Sequence, residues 1–126
     1  MTSLCYCGSN QAYADCCEPY LCGRDKAPSA ESLMRSRYTA FVTAESQYLL
    51  DSWHLSTRPS RLRFDDKSQW LGLTIKKTVA GNPQDDVGEV EFIARFRVDG
   101  KAVRLHERSR FVKEDEQWFY VDGDHL

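Results

Sequence analysis

The sequence predicts an α+β fold, with helices in the first half, a meander of antiparallel strands in the second, and a small cysteine-rich knuckle ahead of both. Three observations carry this. All five cysteines of the 126-residue chain fall in its first 22 residues, too tight a cluster for a disulfide scaffold spread through a fold. Met34, Tyr38, Phe41 and Val42 recur at helical spacing. From Trp70 onward the period becomes alternating, most clearly at Val90, Phe92, Ala94, Phe96 and Val98, the mark of a half-buried strand.

The length suits one core with a small appendage, divided here as a knuckle over residues 1–23 and an α+β domain over 29–126. The net charge of −2 gives no overall pull toward nucleic acid or membrane. No run approaches the roughly 20 apolar residues of a membrane span. Met1-Thr2-Ser3-Leu4-Cys5 has neither the basic start nor the apolar run of a signal peptide. A cytoplasmic, reducing location is therefore expected, where cysteines persist as thiols or metal ligands.

The cysteines read C-x-C, eight residues, C-C, at Cys5, Cys7, Cys16 and Cys17. Four soft thiolates in a closed set suit a structural zinc ion. Gly8 frees the backbone for the turn after the first pair. Ser9 and Asn10 can cap a short helix over residues 11–15, which returns Cys16 and Cys17 to the ion before Pro19 stops it. A vicinal Cys16–Cys17 disulfide is disfavoured by the reducing compartment. A redox pair would more commonly be C-x-x-C beside a strand–helix unit. Buried, unliganded cysteines would need more core than so short a segment supplies. Cys22 follows the fourth ligand and reads as a small buried residue, with a spare ligand or reactive thiol as its alternative.

Gly23 to Ser29 reads as a linker. Ser29, with Glu31 in the first turn, caps the main helix. Thr43 and Glu45 suggest a second start, continued by Tyr48, Leu49 and Trp53, and residues 59–64 suggest a third short helix. Leu71, Leu73 and Ile75 open the alternation. Asp99-Gly100 is a hairpin turn, with residues 101–113 as the partner strand. A turn at Glu114-Asp115-Glu116 leads into a last strand over 117–122. Helices followed by such a meander make an α+β domain.

Cys5-Tyr6-Cys7-Gly8-Ser9 with Cys16-Cys17 resembles the SEC-C motif, a zinc knuckle carried by the SecA translocation ATPase and many other bacterial proteins. That motif usually continues Gly-Ser-Gly-Lys, where this chain has Gly8-Ser9-Asn10-Gln11. Met34-Arg35-Ser36-Arg37-Tyr38 with Ala40-Phe41, Trp53-His54, Trp70-Leu71-Gly72-Leu73, Glu107-Arg108-Ser109-Arg110-Phe111 and Trp118-Phe119-Tyr120-Val121-Asp122-Gly123 resemble the YchJ-like family. The resemblance implies a nuclear transport factor 2-like (cystatin-like) cone, with a bent antiparallel sheet wrapped around helices. Other SEC-C proteins imply contact with protein or ribosome.

A cone of that kind can hold a pocket, for which Trp53, His54, Glu107 and Tyr120 are the candidates. Glu107 shares a strand face with Val103, Leu105 and Phe111, so it points coreward and needs a partner, expected from Arg37 or Arg35. Arg104, His106, Arg108 and Arg110 alternate outward beside Arg95 and Arg97, a face that could touch phosphates. Glu89 and Glu91 are placed to neutralise it. No catalytic motif appears, and the reading leans away from an enzyme. The leading expectation is an adaptor that meets a protein or ribosome through a zinc-fixed knuckle decorated by Tyr6, Tyr13 and Tyr20, with a homodimer as one assembly. Its rival is a small-molecule site in the cone. An apolar cavity with Glu107 accessible favours the rival, and a filled cone with Glu107 paired to arginine favours the adaptor. A weaker third idea is redox sensing at Cys22.

Overall fold

A computed structural model describes residues 4–62, 64 and 68–126. An antiparallel bridge between Leu4 and Ala12 and the Cys5 N–H donated to Gln11 O at 2.8 Å close the loop that carries the first cysteine pair. The expected helix over 11–15 is only a 3-10 turn, Tyr13–Asp15. Asn10 sits at φ 66, the left-handed region, which ends any helix before it begins. Ser9 Oγ accepts from Gln11 N at 3.2 Å, so it braces the turn rather than capping a helix. Pro19 does not stop a helix either. It lies in the first turn of α1, Glu18–Leu21, where a missing N–H leaves no bond unmade.

Helix α2, Ala30–Val42, opens on a reciprocal cap. Ser29 Oγ accepts the Ser32 N–H at 3.1 Å and Ser32 Oγ accepts the Ser29 N–H at 3.0 Å, which satisfies two donors a bare helix start would leave open. Leu33, Met34, Arg37 and Tyr38 lie on its buried face. Thr43, expected to begin the next helix, instead ends this one by donating its N–H to Thr39 O at 2.9 Å. Ala44 turns the chain at φ 58, and α3, Ser46–Asp51, starts after Glu45. Residues 59–62 and Phe64 form no helix, and Arg63 lies outside the described residues. Among the described residues no helix is long and apolar enough to cross a membrane.

The sheet is a meander in the order β1-β2-β3-β4, from Ser68–Ala80, Val87–Val98, Lys101–Glu114 and Gln117–His125. Asp99 and Gly100 both take positive φ at the β2–β3 turn, as do Asp115 and Glu116 at the next. That twist matches the flanking strands. β4 runs past the expected end at Asp122 because Gly123 and Asp124 still pair with Ser109 and Arg108. Register shifts at Trp70/Gly72, Ile75/Lys77 and Arg110/Phe111 bend the strands, and the sheet curls against α2. Val90, Phe92, Ala94 and Phe111 are buried on the inner face; Ile93, on the opposite side of the alternation, is buried as well. Residues 52–54 dock on the edge of β4, with Tyr120 N–H donating to Ser52 O at 2.8 Å and His54 N–H to Tyr120 O at 2.7 Å.

Candidate functional site

The four cysteine sulfurs lie within 4.8 Å of one another. Cys7 Sγ is 3.6 Å from Cys16 Sγ, which is 3.9 Å from Cys17 Sγ. A tetrahedron of sulfurs around zinc, with bonds of about 2.3 Å, has edges of about 3.8 Å. The donor set therefore fits a four-coordinate ion of zinc's size and softness. Gly8, at φ 80, makes the sharp turn after Cys7. Arg35 braces the loop by donating Nη1–H to Cys7 O at 2.8 Å, and Ser9 Oγ lies 3.1 Å from Cys16 Sγ.

The thiols cannot all ionise alone. Contact with Cys17 holds the Cys7 thiol well below its usual value, with help from Ser9. Cys17 is pushed up, first by its bond to the Cys7 thiolate and then by burial. Burial pushes Cys16 up too. Only a cation among the sulfurs would stabilise four thiolates together, so metal loading displaces protons and weakens as pH falls.

The cluster is not a surface appendage. Cys5, Cys7 and Cys17 are buried and belong to the same apolar core as Leu33, Met34, Tyr38, Phe92 and Trp118. Cys5 Sγ lies 3.7 Å from Thr39 Oγ1 on α2. Cys22 stands apart from the cluster and is exposed. The buried reading fails because Cys22 caps the end of α1, with its thiol turned to Pro19 O at 3.6 Å.

A second feature lies between α2 and the inner sheet face. A cavity of about 270 Å³ is walled by Tyr38, Phe41, Trp53, Trp70, Phe92 and Tyr120, with Arg37, Glu107 and Ser109 as its polar groups. Of the four candidates, Trp53, Glu107 and Tyr120 line this cavity, but His54 does not. Neighbouring residues of an extended segment point to opposite sides, so His54 faces away, bonded to Glu114 at 2.9 Å and Ser56 Oγ at 2.7 Å.

The expected arginine partner of Glu107 is also absent among the described residues. Arg35 pairs with Glu31 at 3.0 Å. Arg37 donates to Leu49 O at 2.8 Å and Ser52 Oγ at 2.7 Å, because the open carbonyls at the end of α3 attract a cation. Its guanidinium lies 4.6 Å from the Tyr120 ring centroid and 5.1 Å from that of Trp53. Burial lowers its pKa to about 10, which leaves it charged at neutral pH. Burial, and next the nearby Glu107, raise Tyr120 to about 12, so its phenol stays protonated. Glu107 instead accepts from Ser109 Oγ at 2.6 Å. Ser109, two residues on along the same strand face, was the signal for this contact.

The outward basic face is neutralised in part. His106 meets Glu91 at 2.7 Å, Arg108 meets Glu89 at 3.6 Å, and Arg110 meets Asp122 at 2.6 Å and Asp124 at 2.7 Å.

A helix-and-sheet cone joined to a four-cysteine cluster defines a SEC-C motif protein built on a nuclear transport factor 2-like domain. Residues 29–123 match the family model described as YchJ, middle NTF2-like domain, and residues 1–19 match the SEC-C motif. The chain belongs to the YchJ-like family, whose curated relatives carry the name UPF0225. One from Polaromonas naphthalenivorans is 48% identical, covering 98% of both chains. One from Bordetella parapertussis is 54% identical, covering 97% of this chain and 92% of its own. The solution structure of a SEC-C motif containing protein from Rhodopseudomonas palustris superposes with a TM-score of 0.86 at 34% identity, over 98% of this chain and 99% of that one. A crystal structure of a SEC-C motif containing protein from Psychrobacter arcticus gives 0.77 at 26% identity, over 95% and 81%.

Proposed function

We propose that this chain is a zinc-stabilised small-molecule-binding protein. Cys5, Cys7, Cys16 and Cys17 hold one structural zinc ion, and the cone cavity takes the ligand. Four sulfur donors leave the ion no open position, so its contribution is to fix the knuckle against α2. The observation that carries the binding role is Glu107, a carboxylate lining an aromatic cavity with no arginine paired to it among the described residues. A carboxylate kept only for stability would carry its counter-ion.

Titration of the zinc-loaded, isotope-labelled protein with indole tests this. A nine-atom fragment gaining about 0.5 kcal/mol per atom reaches about −4 to −5 kcal/mol, a Kd of about 1 mM. Saturable shifts are expected at Phe41, Trp70, Glu107 and Tyr120. Shifts scattered over the outer surface, or none at about 5 mM, would overturn the reading.

One observation favours contact with another protein as a second reading. Leu4 is 62% and Tyr6 50% exposed on either side of Cys5, on a turn that a bound ion would hold rigid. Proteins captured from a bacterial extract should be lost with a Leu4→Ser, Tyr6→Ala double variant of unchanged zinc content. A captured set indifferent to that change counts against the contact.

A further inference from the structure

We propose that the cavity ligand is a small, neutral, planar ring compound that donates an N–H or O–H to Glu107. This rests on the cavity reading above and adds the chemical class.

Size comes first. A space of about 270 Å³ equals about nine waters at ~30 Å³ each, so it holds a molecule on the order of ten non-hydrogen atoms. Shape follows from the walls. Trp70 stands between Phe41 and Tyr38, with ring centroids 5.8 and 5.6 Å away, and Trp53 meets Tyr120 at 5.1 Å. Flat ring faces and edges on several sides favour a flat ring between them.

Polarity follows from Glu107. An ionised carboxylate only accepts hydrogen bonds. Its Oε2 takes the Ser109 hydroxyl, and Ser109 is fully buried, so this oxygen is pinned. Among the described residues its other oxygen has no protein donor. The carboxylate also leans on the bare backbone of Gly123, where an added Cβ would come within 2.5 Å of Oε2. The chain thus leaves out a side chain to seat this group.

Charge follows from the balance. Arg37 and Glu107 both line the cavity, one of each sign. Arg37 is already bonded through Nη1 and covered by the Trp53 and Tyr120 rings. An anionic ligand would meet Glu107 and a cationic one would meet Arg37, each in a poorly screened space. A neutral donor satisfies Glu107 without disturbing the pair.

The test compares 3-methylindole with 1-methylindole, which have equal size but only the first of which keeps its N–H. Benzoate and benzylammonium serve as charged probes. In the zinc-loaded protein, 3-methylindole should bind at least about tenfold more tightly than 1-methylindole, a difference of about 1.4 kcal/mol, and more tightly than either ion. Glu107→Leu should bring the two methylindoles to equal affinity. Gly123→Ala, which pushes the carboxylate from its seat, should narrow the gap. Equal affinity of the two in the unmodified protein, with shifts at the cavity residues, would overturn the donor claim and leave the cavity reading standing. Tighter binding of benzoate or benzylammonium would overturn neutrality. If none of the probes moves the cavity residues, both readings fall.

Discussion

Changing Cys16 and Cys17 to serine together should release the zinc and lower the melting temperature of the whole chain, not merely loosen its first 20 residues. Cys17 is buried beside Cys5 and Cys7 in the core that contains Leu33, Met34 and Tyr38 of α2. A knuckle that comes apart therefore uncovers one side of that helix. Re-exposing the equivalent of two large side chains, at roughly 2 kcal/mol each, costs on the order of 4 kcal/mol. For a chain of this size that is a fall of roughly 10–20 °C. Elemental analysis of protein kept reduced should find one zinc per chain, lost in the variant. Calorimetry should show one transition moved down, and amide shifts should change along α2 and β1. Zinc lost with the melting point unchanged would make the knuckle an independent appendage. Absence of stoichiometric metal in the unmodified protein would defeat the zinc reading itself.

Much of this architecture was legible because it rests on local chemistry. Serine at position 29, two reversals of alternation and a run of closely spaced cysteines each dictate a feature within a few residues. What the sequence did not reveal depends on choices between partners distant along the chain. Arg37 could have met Glu107, but the end of α3 offered a carbonyl and a hydroxyl at 2.8 and 2.7 Å. Glu107 then found Ser109 two residues away. His54 and Trp53 are adjacent in sequence, yet the short pairing with Tyr120 sends adjacent side chains apart. Proline breaks helix interiors, which makes Pro19 look like a stop, whereas at a first turn it starts a helix. The sharing of one core by knuckle and cone was hidden for the same reason: spacing shows which cysteines meet, not what they meet.

Arg37→Met should destabilise the protein by about 2–3 kcal/mol and change what the cavity accepts. Methionine fills much of the arginine stem's space but takes the guanidinium donor from Leu49 O, at about 1–3 kcal/mol for a group left unsatisfied, whereas Ser52 Oγ keeps its bond to Tyr48 O at 2.7 Å. It also removes a guanidinium held against two rings, worth about 1–2 kcal/mol where desolvated. Against this stands relief from burying a cation, the cost that lowers its pKa to about 10, so the net loss is smaller than the sum. Arg37→Lys should recover little, because a single ammonium cannot stack on the rings while bonding both oxygens. Denaturant melts of the three proteins measure this. The second readout is chemical. Without Arg37, Glu107 becomes the lone charge lining the cavity among the described residues, and benzylammonium should overtake 3-methylindole in affinity. If the cation gains nothing in a folded Arg37→Met protein, the guanidinium does not set the charge of that space. The pairing of one positive and one negative wall would then be a feature of packing alone, and the preference for a neutral ligand would have to come from the aromatic walls.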